Sequence, residues 1–124
     1  MTSKLKGESL SQLFLDKSLF DQALTHKSFH NENSKTSSGH NERLEFLGDA
    51  VLDLVISDSL FNELTDSNEG DLSKLRASLV NETALAELAS ELELGPLLKL
   101  GKGEMQSGGV SKPRLLSSTL EALV

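Results

Sequence analysis

Four carboxylates recur at helical spacing in the segment 42–53. On a helix, where successive residues turn by about 100°, all four would fall within an arc of roughly 80°. This acidic stripe consists of Glu42, Glu45, Asp49 and Asp53. Like charges three or four residues apart destabilise a helix by roughly 0.2–0.5 kcal/mol per pair, and Arg43 is the only basic residue from 42 to 58. Because hard divalent cations prefer carboxylate oxygens, we predict that such a cation binds against the stripe.

The elements around the stripe are predicted to be helical throughout. Apolar residues on the far side of the same helix predict its buried face; they are Leu44, Leu47, Val51, Leu54 and Val55. This helix is expected over about 42–62, with Asn41 as N-cap. Further helices are expected near Leu10, Leu13 and Phe14, over 18–26, over 71–80 and 82–92, and from about Ser118 onward. Polar segments at 31–40 and 101–113 predict loops and 65–70 a turn, so we predict an all-α multi-helix bundle without repeats.

Length and composition limit the classes of protein. The 124 residues form one domain, 1–124, which is long enough to bury a core. The chain has no cysteine, so disulfides and thiolate metal sites are excluded. The first ten residues lack the apolar region of a secretory signal, and no apolar run reaches the ~18 residues of a membrane span. We therefore expect a cytoplasmic protein that does not associate with membranes.

The net charge of −7 argues against a simple nucleic-acid binder. Asp and Glu outnumber Lys and Arg by 19 to 12, whereas phosphate binding favours basic surfaces. A cation held by the acidic stripe would reverse the local charge. Six basic residues are candidate phosphate contacts, with ordinary surface charge as the alternative for each: Lys74, Arg76, Lys99, Lys102, Lys112 and Arg114. The histidines show no metal-ligand spacing, and we expect His26 to be structural.

The sequence Asn-Glu-Arg-Leu-Glu-Phe-Leu-Gly-Asp-Ala-Val-Leu at 41–52 resembles the signature helix of the ribonuclease III family. Segments 23–29, 69–77, 100–109 and 120–123 resemble the family's flanking segments in the same order. The resemblance implies a ribonuclease III endonuclease domain that cleaves double-stranded RNA with Mg²⁺, or Mn²⁺ as a substitute. It further implies a homodimer, products with 5′-phosphate and 3′-hydroxyl ends, and a role in rRNA or mRNA processing.

The resemblance also assigns roles to individual residues. Asp49 and Glu121 match the family's catalytic carboxylates, and Glu45, Asp49 and Glu121 match metal ligands. Glu42 and Glu69 match supporting acidic positions, although a helix-dipole contact and a solvated turn are the respective alternatives. Phe46 matches the aromatic residue at the dimer interface, with peripheral core packing as its alternative. We expect Asp53 to be a surface residue.

Two features depart from the family pattern. Ser118 stands where the family usually has an aspartate ligand, so we expect weaker metal binding. Ser118 and Glu121 also match a capping box, which gives Glu121 a structural alternative. The apolar helix after 115 ends with the chain at Val124, so we expect a C-terminally incomplete nuclease domain without a double-stranded-RNA-binding domain. Two rival interpretations rank below the nuclease: a non-catalytic relative that dimerises or binds RNA, and a structural fragment that fails to fold.

Overall fold

The computed structural model describes residues 7–37 and 39–124. Within them the fold is built from eight helices and three one-turn 3₁₀ segments, without a β-strand. The helices are α1 Gly7–Leu10, α2 Lys17–Ala23, α3 Lys27–Glu32, α4 Glu42–Glu63, α5 Glu69–Leu79, α6 Glu82–Glu91, α7 Lys102–Gln106 and α8 Pro113–Leu123. The all-α prediction is confirmed.

Local chemistry explains where several helices begin. The side-chain oxygen of Asn68 accepts a hydrogen bond from the backbone N–H of Asp71 at 2.9 Å, and Asn81 caps α6 in the same way through Ala84 at 2.8 Å. Such caps satisfy N–H groups that have no partner inside the helix. α8 begins differently, with Pro113 at its first position, where the missing N–H costs nothing.

The core lies where α6 and α8 pack together over the segment 94–100. Its buried residues are aliphatic: Leu85, Ala86, Ala89, Leu94, Leu98, Leu100, Leu116 and Leu120. The segment 94–100 is tied to the end of α2 by two backbone hydrogen bonds, in which Lys99 N–H donates to Leu24 and His26 N–H donates to Lys99. The amphipathic α8 is therefore the central helix, with its apolar face toward this core.

α4 packs against α8 along a different face from the one predicted. Gly48 is buried there and Leu52 is partly buried, whereas Leu47 and Leu54 are exposed. On the helix, Gly48 and Leu52 lie between the acidic stripe and the predicted apolar face. The prediction that Leu47, Leu54 and Val55 are buried is wrong, because α8 packs beside the stripe rather than opposite it.

Several predicted boundaries also differ from the structure. The expected loops 31–40 and 101–113 contain the end of α3 and the whole of α7. α8 begins at Pro113, five residues before the predicted start, so Ser118 lies inside the helix and is not an N-cap. Asn41 precedes α4, but its side chain makes no capping hydrogen bond; its Nδ2 donates to the carbonyl of Ala23 at 2.9 Å.

The membrane prediction can be compared with helix length and hydropathy. Across the described residues, none of the helices combines the length and the apolar character that crossing a bilayer requires.

Candidate active site

The predicted site residues of α4 and α8 meet around one open cavity of about 460 Å³. Three carboxylates come from α4 and one from α8, although these helices are about seventy positions apart in the sequence. The cavity is lined by Glu42, Glu45, Phe46, Asp49, Arg114, Ser118 and Glu121. The structure therefore brings together all of the proposed ligands, including the hydroxyl at the departing position Ser118.

Gly48 determines how closely the two helices approach. A Cβ atom built on Gly48 would lie 1.6 Å from the backbone oxygen of Glu121 and 2.6 Å from its carbonyl carbon. Only a residue without a side chain fits there. Because Asp49 follows Gly48 directly, this backbone contact places the carboxylates of Asp49 and Glu121 side by side.

The electrostatics of Glu121 reflect this crowding. Partial burial, a hydrogen bond to Asp49 and the negative charges of Asp49, Glu45 and Asp53 raise the pKa of Glu121 to about 7. With the pKa this high, the carboxyl of Glu121 is often protonated near neutral pH and donates to the carboxylate of Asp49. Asp53, expected to be a surface residue, is exposed yet close enough to contribute to this field.

The start of α4 is fixed by buried polar contacts. Asn41 is buried; its side chain donates to Ala23 and its backbone N–H donates to Thr25 at 3.0 Å. Lys27, on α3, forms an ion pair with Glu42 at 3.4 Å. The first carboxylate of the stripe, which lines the cavity together with Glu45 and Asp49, thus already has a lysine partner.

His26 stabilises the start of α3, the helix that carries Lys27. Its Nδ1 accepts a hydrogen bond from the backbone N–H of Ser28 at 3.1 Å, which caps α3. Burial lowers the pKa of His26, so the neutral ring that serves as acceptor is favoured. This geometry agrees with the structural role predicted for His26.

A divalent cation fits the chemistry of the donor set. Carboxylate oxygens of Glu45, Asp49 and Glu121 with the hydroxyl of Ser118 offer only hard oxygen ligands. Among residues 7–37 and 39–124, however, no group of three or more His, Asp or Glu side chains is placed so that it could hold a metal ion. The donors line one open cavity, and Mg²⁺ usually retains several waters when it binds to a few carboxylates.

Two predicted residues lie apart from the carboxylates. Glu69 lines a different and larger cavity, of about 570 Å³ between α4 and α5, together with apolar residues such as Leu54, Phe61 and Leu72. Within this chain the structure does not bring Glu69 to the site. Phe46 lines the rim of the carboxylate cavity and is 82% exposed, which argues against core packing.

The structure adds residues to which sequence reasoning gave no role at the site. Arg114 lines the cavity, although it was only one of six candidate phosphate contacts. Asn81 and Glu82 line an adjoining space of about 360 Å³ that shares Asp49 and Glu121. Pro113 is the sequence feature that could have predicted the position of Arg114. Proline favours the first position of a helix, and a helix that begins there places Arg114 one turn before Ser118. Nothing in the local sequence signals the approach of residues 81 and 82.

Comparisons with known proteins agree with this architecture. A family profile described as Ribonuclease-III-like matches residues 16–124. The chain is 53% identical over 117 residues to Ribonuclease 3 of Bdellovibrio bacteriovorus and 50% identical over 123 residues to Ribonuclease 3 of Dechloromonas aromatica. These alignments cover 94% and 99% of the chain, but 50% and 52% of the relatives. The chain thus spans about half the length of the curated relatives that it matches.

A solved structure gives the same result. The nuclease domain of ribonuclease III from Campylobacter jejuni superposes with a TM-score of 0.82 at 50% sequence identity, covering 93% of this chain and 79% of that one. That structure is described in terms of flexibility in a region involved in dimer formation. The likeness extends over almost all of the fold that positions the carboxylates.

Proposed function

Because the chain belongs to the ribonuclease III family, we propose that it is a metal-dependent endoribonuclease that hydrolyses phosphodiester bonds in double-stranded RNA. One observation carries the proposal: Glu45 and Asp49 of α4 meet Glu121 of α8 around a single open cavity. Converging carboxylates with a raised pKa on one of them are typical of catalytic sites rather than of solvated helix surfaces. Among the described residues that line it, the larger cavity has only two carboxylates, Asp58 and Glu69, and the others are mostly apolar.

Glu45, Asp49 and Glu121 would hold Mg²⁺, or Mn²⁺ as a substitute, with Ser118 contributing a neutral oxygen. When bound, the cation lowers the pKa of a coordinated water and neutralises charge that develops on the phosphate and on the leaving oxygen. Hydrolysis that releases the 3′ oxygen gives 3′-hydroxyl and 5′-phosphate ends. The contribution of the protein is to fix the carboxylates, which the contact between Gly48 and the backbone of Glu121 achieves.

The substrate class follows from the family and from the open shape of the site. A cavity at the surface admits a duplex backbone, and the shape of A-form RNA is read through phosphates and 2′-hydroxyls rather than through its deep major groove. The natural substrates are rRNA and mRNA precursors in the cytoplasm. The active form is a homodimer, and the exposed ring of Phe46 is an interface residue.

Cleavage of long double-stranded RNA at low salt with Mg²⁺ tests the proposal. The unaltered chain should give short duplexes, whereas Asp49→Asn should abolish the products while the chain stays folded, as judged by a cooperative thermal melt. Asp66→Asn, in the exposed turn after α4, is the matched control and should cut normally. Cleavage by Asp49→Asn at the rate of the unaltered chain would refute the assignment of Asp49 to the catalytic site.

Ser118 favours one second candidate, a relative that binds RNA without cutting it. A hydroxyl supplies one oxygen without charge, so the site binds a cation less tightly than a site with aspartate there. Ser118→Asp distinguishes the two candidates. If the unaltered chain binds RNA but only Ser118→Asp cuts it, the site is assembled but lacks a ligand, and the non-catalytic function holds for the chain as it stands.

A further inference from the structure

Arg114 occupies a singular position at the carboxylate cavity. Among the described residues that line this 460 Å³ space, Arg114 is the one basic side chain beside four carboxylates. It also lines the two smaller spaces that adjoin the cavity, one toward His26 and one toward Asn81. Arg114 therefore stands where all three openings meet.

Several other basic residues among those described already have partners. Lys27 pairs with Glu42, Lys112 pairs with Glu104 at 2.6 Å, and Lys99 pairs with Asp21. Arg76, remote from the carboxylates, donates to the hydroxyl of Ser57 at 2.9 Å. In the part of the chain that the structure describes, no carboxylate lies within 4.0 Å of the Arg114 guanidinium.

The residue one turn further along α8 explains why Arg114 is unpaired. Position 118 is four residues after 114, so the two side chains share a face of the helix. An acidic residue at 118 would form an i,i+4 ion pair with Arg114. Ser118 is neutral and leaves the guanidinium available to an external anion.

We propose that the guanidinium of Arg114 binds a phosphodiester group of the RNA backbone at the mouth of the carboxylate cavity. Its planar fork of N–H donors matches two phosphate oxygens, a geometry that a lysine ammonium does not offer. The contact offsets the repulsion between the phosphate and the neighbouring carboxylates. This inference rests on the proposed function, since it takes double-stranded RNA as the ligand of the same site.

Binding of a short fluorescent RNA duplex, followed by anisotropy between about 50 and 200 mM salt, tests the proposal. Ca²⁺ replaces Mg²⁺, and a gel confirms that the RNA stays intact. Arg114→Gln should weaken binding about tenfold and reduce the slope of log K against log salt by about 1. Arg114→Lys should keep the slope and lose part of the affinity. Arg43→Gln, an exposed arginine of α4 that lines none of these spaces, should change neither quantity.

The outcomes separate this inference from the proposed function. Equal affinity and slope for Arg114→Gln and the unaltered chain would overturn the inference, even if the chain cuts RNA with Mg²⁺. An equal loss for Arg43→Gln would overturn it too, because general surface charge would then account for the effect. Absence of RNA binding by the unaltered chain also overturns it. Binding that depends on Arg114, without cleavage in Mg²⁺, would support the phosphate contact and refute the nuclease.

Discussion

Replacement of Gly48 by alanine should lower both the stability of the fold and the rate of cleavage, because of the one Cβ atom that it adds. The added Cβ would lie 1.6 Å from the backbone oxygen of Glu121, whereas ordinary contacts begin at 3.4 Å. The difference, 3.4 minus 1.6, requires the two helices to separate by about 1.8 Å along this line. The obstacle is backbone of the last turn of α8, so no flexible side chain can move aside.

The magnitude follows from two opposing effects. Alanine is favoured over glycine inside a helix by about 1 kcal/mol, while overpacking costs typically 1–3 kcal/mol and sometimes more. Because the obstacle is rigid backbone, the overpacking cost of Gly48→Ala should be at or above the upper end of that range. After the helix preference for alanine is subtracted, a net destabilisation of about 2 kcal/mol is expected. For a domain of this size it corresponds to a fall in Tm of about 8 °C. Separation by more than 1 Å should also lower cleavage about 100-fold.

A thermal melt by circular dichroism and the cleavage assay with Mg²⁺ measure the two effects. Gly103→Ala is the matched control, because this glycine lies in α7 and a Cβ there meets nothing within 4 Å. The control should leave cleavage unchanged and keep or slightly raise the Tm. If Gly48→Ala melts and cuts like the unaltered chain, the close contact between α4 and α8 does not hold and the argument for how the site is positioned fails.

Three further predictions concern stability. Between about pH 4.5 and 7 in metal-free buffer, the folded chain holds a proton on Glu121 that the unfolded chain has released. The free energy of unfolding should therefore fall as pH rises through that window. In Glu121→Gln, denaturant titrations should show a smaller change of this free energy with pH. Asn41→Ala removes a buried side-chain donor and should cost about 1–3 kcal/mol, whereas Asn62→Ala, at the exposed end of α4, should cost less than about 0.5 kcal/mol in the same titration. Leu94→Ala, at a fully buried position, should cost about 2–5 kcal/mol, while Leu54→Ala, 71% exposed, should be nearly neutral by thermal melt.

Each of these has a result that contradicts it. A metal-free stability that rises between pH 4.5 and 7, and does so equally in Glu121→Gln, would mean that the carboxylates do not interact as described. Equal losses for Asn41→Ala and Asn62→Ala would remove the buried anchor of α4. Equal losses for Leu94→Ala and Leu54→Ala would place the exposed face of α4 in a buried interface.

Periodicity predicted the helices well and their packing poorly. α4, α5 and α6 were expected within two residues of their observed bounds, because long periodic segments flanked by Asn and Gly-Pro leave few alternatives. α3 and α7 were missed, since six and five residues in polar surroundings carry little periodic signal. The start of α8 was misplaced because Ser118 and Glu121 mimic a capping box inside a helix that Pro113 had already begun.

The site was predictable to the extent that its residues share a helix. Spacing on α4 predicted an acidic stripe that contains Glu45 and Asp49, and the resemblance to the ribonuclease III family singled these two out within it. That Glu121 joins them depends on Gly48, whose backbone contact with α8 no local pattern reveals. For the same reason the predicted apolar face was wrong: the sequence shows which residues are apolar, but only the crossing of α4 and α8 decides which side is covered.

The net charge of −7 constrains how such a domain could engage RNA. Lys27, Lys99 and Lys112 form ion pairs with Glu42, Asp21 and Glu104, and among the described residues that line the cavity Arg114 is the one basic side chain. Under the proposed function, attraction for phosphate must come from a bound cation together with Arg114. RNA binding by this chain should therefore depend on divalent cation far more steeply than binding by a basic domain. In EDTA no cation offsets the negative charge of the cavity, which repels phosphate, and the same duplex that binds in Ca²⁺ should dissociate.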